Sequence, residues 1–243
     1  PSILAIVNTS SPVHAFSTIL ATLYKLAVVL SLFCWSNLLS ECEDTMNQML
    51  FMCLDAGTAA ILLIPFFVAM HNSTFHSLRR TLIYFVLAVY LCGVYSVVGL
   101  PHARYFRFDM NISLIPFRYF FSNLWNHILN IFLFVPLGFF LTILLRRYGK
   151  LHHTFLFGFF LSASIELLQI FTYRATDIND LMTNTLGTII GWCLGKAFLK
   201  AFPSITPSRH TKELFYIFLS VFIVMFFLHP FLADWLLVRI YPV

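Results

Sequence analysis

Ser162-Ala-Ser-Ile-Glu-Leu-Leu-Gln-Ile-Phe-Thr-Tyr-Arg-Ala-Thr-Asp-Ile-Asn-Asp-Leu-Met-Thr-Asn-Thr-Leu-Gly187 joins one half of an apolar helix, through a short polar turn, to the opening of a second apolar helix. It carries Glu166, Asp177 and Asp180, three of the ten acidic residues in the chain. The sequence on either side is strongly apolar. Ionisable groups at or near membrane depth are costly, so this stretch is the default candidate for a functional site.

Composition sets the surroundings of that stretch. The chain has 243 residues, of which 60% are hydrophobic, 18% aromatic and 10% charged, and its mean hydropathy is +0.85. Soluble domains carry charges on roughly a quarter of their residues, so the composition excludes a soluble globular protein. The expected fold is an all-α polytopic transmembrane helical bundle forming a single membrane domain. The net charge of +5 is dispersed over inter-helix loops, which argues for membrane orientation and against nucleic acid as a partner. Cys34, Cys42, Cys53, Cys92 and Cys193 show no CxxC spacing, so neither a disulfide framework nor a metal site is expected, and no cofactor is implied. No basic n-region or A-x-A-like cleavage site is evident, and the first apolar helix is expected to act as the targeting signal.

A spanning helix needs about 20 mostly apolar residues. Segments near 15–39, 52–70, 81–100, 127–145, 154–171, 180–200 and 214–237 meet that measure, giving about seven spans, or six if one of the first two fails. Lys25 and Asp55 flaw those first two and are expected to pair, or Lys25 to snorkel. Arg79, Arg80, Arg146, Arg147, Lys150, Lys196, Lys200, Arg209 and Lys212 fall on one side, against Arg104, Arg107, Arg118, Arg174 and Arg239 on the other. The positive-inside bias makes the first side cytoplasmic, with the amino terminus inside, the carboxyl terminus outside and the 173–176 turn outside. The loop from Pro101 to Trp125 mixes arginines with aromatics on the outer side. It is expected to lie in the interface or to fold back over the bundle, and Arg104, Arg107 or Arg118 can there answer the acidic stretch or an anionic ligand.

Helical spacing sorts the polar groups onto faces. Ser162, Glu166 and Gln169 stand at i, i+4 and i+7 on one face. Asp177 and Asp180 open the next helix, followed by Asn184, Gly187 and Gly191 at steps of three or four. The two faces are expected to meet, bringing Glu166, Gln169, Asp180 and Asn184 together, with the glycines allowing close backbone approach. Asp177 and Asp180 also suit a helix N-terminus, whereas Glu166 has no capping role and reads either as interhelical glue or as a chemical group. Asn123, Asn126 and Asn130 lie at i, i+3 and i+7 ahead of Pro136, which removes one backbone hydrogen bond.

Three of these segments together resemble the VanZ-like family, named for a teicoplanin-resistance membrane protein. They are Asn126-His-Ile-Leu-Asn-Ile-Phe-Leu-Phe-Val-Pro-Leu-Gly138, Ser164-Ile-Glu-Leu-Leu-Gln-Ile-Phe171 and Arg174-Ala-Thr-Asp-Ile-Asn-Asp-Leu-Met-Thr-Asn-Thr-Leu-Gly187. Arg104-Tyr-Phe and Leu114-Ile-Pro-Phe117 resemble the family segment that precedes the asparagine helix. The resemblance covers about residues 100–200. It divides the chain into amino-terminal helices over 1–100, a VanZ-like core over 101–201, and a cytoplasmic loop with the last helix over 202–243. The family often has a second acidic residue where Asn179 stands and a glycine where Thr188 stands, so a three-carboxylate metal site is not expected. The resemblance implies a bacterial envelope role, with low-level glycopeptide resistance in some members.

Two functional classes remain open at this point. One is a non-catalytic protein of the bacterial cytoplasmic membrane whose outward-facing polar pocket binds a lipid-linked cell-wall precursor, a lipid headgroup or the lipoglycopeptide. In that reading Arg104, Arg118 and Arg174 take phosphate or carboxylate, Asn126, Asn130, Gln169 and Asn184 bond sugar or amide groups, and Glu166, Asp177 and Asp180 complete the lining. The other is a membrane enzyme acting on a lipid-linked or phosphorylated substrate, with Glu166 as general acid or base assisted by Asp177 and Asp180. His71, His76, His152 and His153 read as solvated loop residues. A transporter is less favoured, because no inverted repeat accompanies the Pro136 helix.

Overall fold

The structure, a computed structural model, describes residues 57–103, 108, 112–113, 115–117, 123–172, 176–209, 211–232 and 235. The apolar segment 15–39, Lys25 and Asp55 lie outside the described residues. Among the described residues six helices follow one another: α1 (Gly57–Phe75), α2 (Leu78–Val97), α3 (Leu124–Leu144), α4 (Leu151–Gln169), α5 (Ile178–Ala201) and α6 (Lys212–Leu232). All except α5 are both long and apolar enough to cross a membrane. The chain is therefore an all-α membrane protein, and the seven apolar segments give an approximate span number. α5 has 24 residues, ample to cross, but Asn179, Asp180, Thr183, Asn184, Thr185 and Thr188 dilute its apolar character.

From α2 onward each helix begins two or three residues before its apolar segment. The cause is the same each time. Polar residues such as Arg79 and Arg80, Asn126, or His152 and His153 occupy the first turn, where helical backbone continues past the apolar stretch. α1 closes on a widened turn, His71–Phe75, before a left-handed His76 with φ of 48° reverses the chain into α2. His71 Nδ1 lies 2.8 Å from the Thr81 hydroxyl across this hairpin, and the Phe75 and Tyr84 rings stack at 5.0 Å. His71 is thus bonded between helices where a solvated loop residue was expected.

The centre of the bundle is the parallel pair α3 and α5, with α4 running antiparallel beside α5. A Cβ added to Gly187 would fall on the Ile131 carbonyl oxygen, one on Gly191 on the Val135 oxygen, and one on Gly195 against the Thr142 side chain. In return, a Cβ on Gly138 would strike the Thr188 carbonyl. Small residues every four positions let the two backbones touch, which is how helices associate where lipid supplies no hydrophobic drive. The expectation of close approach at Gly187 and Gly191 is met, but their partner is the proline-containing helix α3 and not α4. α4 meets α5 through its own Gly158, against which the Thr188 side chain packs, and through Ser162. α3 runs unbroken through Pro136, and Tyr90 of α2 donates its hydroxyl to the Leu133 carbonyl at 2.6 Å in the turn that the proline loosens. On the far side, α2 and α6 bury Tyr84, Leu87, Ile217 and Val224.

Two tie-points close the ends. Where α4 passes to α5, β1 (Ile112–Ser113) pairs in parallel with β2 (Thr176–Asp177), Ile112 opposite Thr176 and Ser113 opposite Asp177. The same long loop is bonded from Ala103 N–H to the Phe226 carbonyl of α6 at 2.9 Å. Its described residues therefore fold back over the bundle. At the opposite end, Arg146 N–H donates to the Ser208 carbonyl at 2.8 Å and Ser208 N–H to the Leu144 carbonyl at 2.7 Å, which joins the α3–α4 turn to the α5–α6 loop.

Candidate functional site

The α4–α5 junction is built by side chains bonding to backbone. Glu166 is buried and its Oε2 accepts the Asp177 N–H at 2.9 Å, while its carbonyl accepts the Thr176 hydroxyl at 2.9 Å. Asp177 in turn caps α5, its Oδ1 accepting the Asn179 N–H at 2.9 Å. This is the side-chain bond that a helix N-terminus with unpaired amides demands. Glu166 therefore has a structural role that its helical position did not reveal: it holds the residue that caps the next helix. Asn179, only 1% exposed, accepts the Phe117 N–H on its side-chain oxygen at 2.8 Å. Phe117 has a φ of 62°, a left-handed conformation that is a genuine outlier for a bulky residue, so the Asn179 bond holds the long loop in a conformation it would not keep alone.

Asp180 faces the other way, toward α3. His127 Nδ1 lies 3.5 Å from its Oδ1, and Asn130 of the same helix stands beside this carboxylate. His127 is 4% exposed at the side chain, whereas Asp180 is 31% exposed. The pair thus has a buried imidazole behind a carboxylate that solvent or a ligand can reach. His127 belongs to the quoted asparagine segment but was not singled out there. Its signal is phase: Asn123, His127 and Asn130 fit i, i+4 and i+7 as well as the asparagines alone do, and it is His127 that the fold buries while Asn126 is exposed.

The remaining polar residues separate into two groups. Asn184 Nδ2 bonds the Ser162 hydroxyl at 3.0 Å, sealing α5 to α4 in the interior. Gln169 Nε2 donates to the Val98 carbonyl at 2.6 Å, fastening the end of α4 to the end of α2. The four residues expected to converge therefore act at different contacts: Asn184 reaches α4, Glu166 the backbone ahead of α5, Gln169 the end of α2, and Asp180 the α3 helix. Arg104, Arg107, Arg118 and Arg174 lie outside the described residues. Among the described residues no three His, Cys, Asp or Glu side chains are grouped to hold a metal ion.

The open part of this region is Asn130, Asp177 and Asp180, in front of the buried His127 at one end of the bundle. Residues 81–199, which supply α2 to α5 and the site, match the VanZ/LLP1 family model. The chain is 35% identical over 112 residues to Protein VanZ of Enterococcus faecium, an overlap covering 46% of this chain and 64% of that relative. The chain thus spans somewhat less than two thirds of the relative it matches. No solved structure matches it. Residues 81–199, with their glycine-packed α3–α5 pair and capped α4–α5 junction, thus belong to the VanZ-like family of membrane proteins.

Proposed function

We propose that this VanZ-like protein resides in the bacterial cytoplasmic membrane with its amino terminus inside and its carboxyl terminus outside, and that the His127–Asp180 end of the bundle binds a polar group at the outer face. The ligand is a lipid-linked cell-wall precursor, a lipid headgroup or the lipoglycopeptide itself, and its capture lowers access of a glycopeptide such as teicoplanin to its target. The observation that carries this reading is the Asp180 carboxylate, 31% exposed, with the buried His127 imidazole of another helix 3.5 Å behind it. A fixed, partly solvated carboxylate accepts hydrogen bonds from hydroxyl, amide or ammonium groups, and such bonds to a charged acceptor contribute about 1.5–3 kcal/mol. Glu166, the acid on which an enzymatic reading relied, is occupied by the Asp177 amide, which favours binding over catalysis through that residue.

The test is saturable binding to the purified chain in nanodiscs, with teicoplanin, a lipid-linked disaccharide-peptide and the bare lipid as separate probes, alongside teicoplanin susceptibility of cells expressing it. One probe should bind wild type and weaken about tenfold or more in Asp180→Asn, with a parallel loss of resistance. Absence of saturable binding by all three probes, or affinity unchanged in Asp180→Asn, would overturn the proposal.

A further inference from the structure

The end of the bundle opposite the candidate site has a different chemistry. Arg79, Arg146, Arg147, Lys150, Lys200, Arg209 and Lys212 are all exposed there. Glu213 is the one carboxylate at that end among the described residues, and it is buried and paired, with Arg80 Nη1 3.6 Å from its Oε1. Its charge is thus matched internally, and the exposed face is uniformly cationic.

Part of that face is built with unusual rigidity for a loop. The turn Arg146–Gly149 is a 3-10 segment whose Tyr148 carbonyl accepts the Thr154 hydroxyl at 2.7 Å and whose Gly149 carbonyl accepts the Trp192 indole N–H at 3.3 Å. The Arg146 amide is bonded to the Ser208 carbonyl, and the Ser208 hydroxyl accepts from Arg80 Nη2 at 2.6 Å. These bonds place the backbone of Arg146 and Arg147 directly beside that of Ser208 and Arg209, with three exposed guanidinium groups carried on two loops locked together. Guanidinium groups match phosphate oxygens in geometry as well as charge, and basic clusters at the ends of transmembrane helices recognise anionic lipid.

We propose that the locked pair of loops bearing Arg146, Arg147 and Arg209 is a docking site for the headgroup phosphate of an anionic phospholipid. The bilayer supplies this partner at the depth where apolar α3, α4 and α6 reach their ends. The site is separate from the His127–Asp180 region and does not depend on the function proposed for it.

The experiment uses the full chain purified in neutral detergent, with phosphatidylglycerol, phosphatidylcholine and inorganic phosphate added separately, bound lipid counted by native mass spectrometry and thermal stability followed in parallel. Phosphatidylglycerol should be retained and stabilise the protein, and phosphatidylcholine and phosphate should not. The triple variant Arg146→Gln, Arg147→Gln, Arg209→Gln should lose phosphatidylglycerol affinity by well over tenfold, at roughly fivefold for each cation. A second variant, Lys196→Gln, Lys200→Gln, Lys212→Gln, removes the same net charge from exposed positions outside the locked loops and should lose less than half as many decades. Equal losses in the two variants would reduce the site to diffuse charge attraction, and equal binding of phosphatidylcholine or equal stabilisation by free phosphate would remove the headgroup requirement; each result overturns the proposal.

Discussion

Glu166 Oε2 and the backbone N–H of Asp177 are 2.9 Å apart, and through that bond the last turn of α4 sets the residue that caps α5. A buried carboxylate bonded to an amide donor is stabilised as an acceptor, and the bond is stronger than one between neutral groups. Glu166→Gln keeps an acceptor oxygen and the side-chain volume, so it should fold with a loss of about 1 kcal/mol, whereas Glu166→Ala leaves a buried N–H unpaired and should cost about 2–3 kcal/mol. Unfolding in mixed detergent measures both. Full stability of Glu166→Gln combined with complete loss of function would return Glu166 to the list of chemical groups.

His127 and Asp180 link α3 to α5 at the site. The carboxylate is partly exposed, so the pair should contribute less than a fully buried one. A double-mutant cycle with His127→Gln and Asp180→Asn should give a coupling of about 1 kcal/mol. Purely additive losses would show that the two side chains stand near one another without interacting.

Asn179 accepts the Phe117 N–H on its side-chain oxygen, and a carboxylate can accept that bond too. Asn179→Asp should therefore keep the loop in place, while Asn179→Ala releases a left-handed Phe117 and should raise proteolysis between 101 and 123. A Phe117→Gly change in the Asn179→Ala background should restore part of the protection, because glycine adopts a φ of 62° without steric cost.

How far the sequence could be read follows from the type of contact involved. Apolar segment length located α2 to α6 to within a few residues, because burial in lipid depends on composition averaged over a turn or more. Face assignment was poorer. The phase of α5 correctly put glycines on a packing face, but nothing in the spacing says which of two neighbouring helices they meet, and Ile131, Val135 and Thr142 of α3 proved to be opposite them. Gly195 continues the same row and was readable from its step of four. Bonds from side chain to backbone, such as Glu166 to Asp177, Gln169 to Val98 and Asn179 to Phe117, have no pattern in sequence, since any amide or carbonyl can be the partner. His127 was hidden for another reason: it shares its helical face with asparagines that alone already made a plausible stripe.

The orientation proposed for the bundle can be measured independently of ligand. With the native cysteines replaced, single cysteines at Thr172 and Gly149 occupy opposite ends of α4. An impermeant thiol reagent added to intact cells should label the first and spare the second until the membrane is opened. Labelling of both from outside, or of Gly149→Cys alone, would reverse the sidedness on which an outer-face ligand depends.

The glycine row makes the sharpest stability prediction. A Cβ at position 191 would collide with the Val135 carbonyl oxygen and crowd the Phe139 amide, groups of backbone that cannot turn aside as a side chain can. Gly191→Ala should cost about 1–3 kcal/mol by overpacking, and Gly191→Leu should force α3 and α5 apart and abolish a folded product. Gly93 of α2 is a matched control, because a Cβ there meets nothing within 4 Å; Gly93→Ala should be neutral or stabilising by up to about 1 kcal/mol through helix propensity. Thermal unfolding of the purified variants separates the two cases. If Gly191→Ala proved as well tolerated as Gly93→Ala, the α3–α5 backbones would not be in contact, and the position of Asp180 against His127 and Asn130 would lose the packing that sets it.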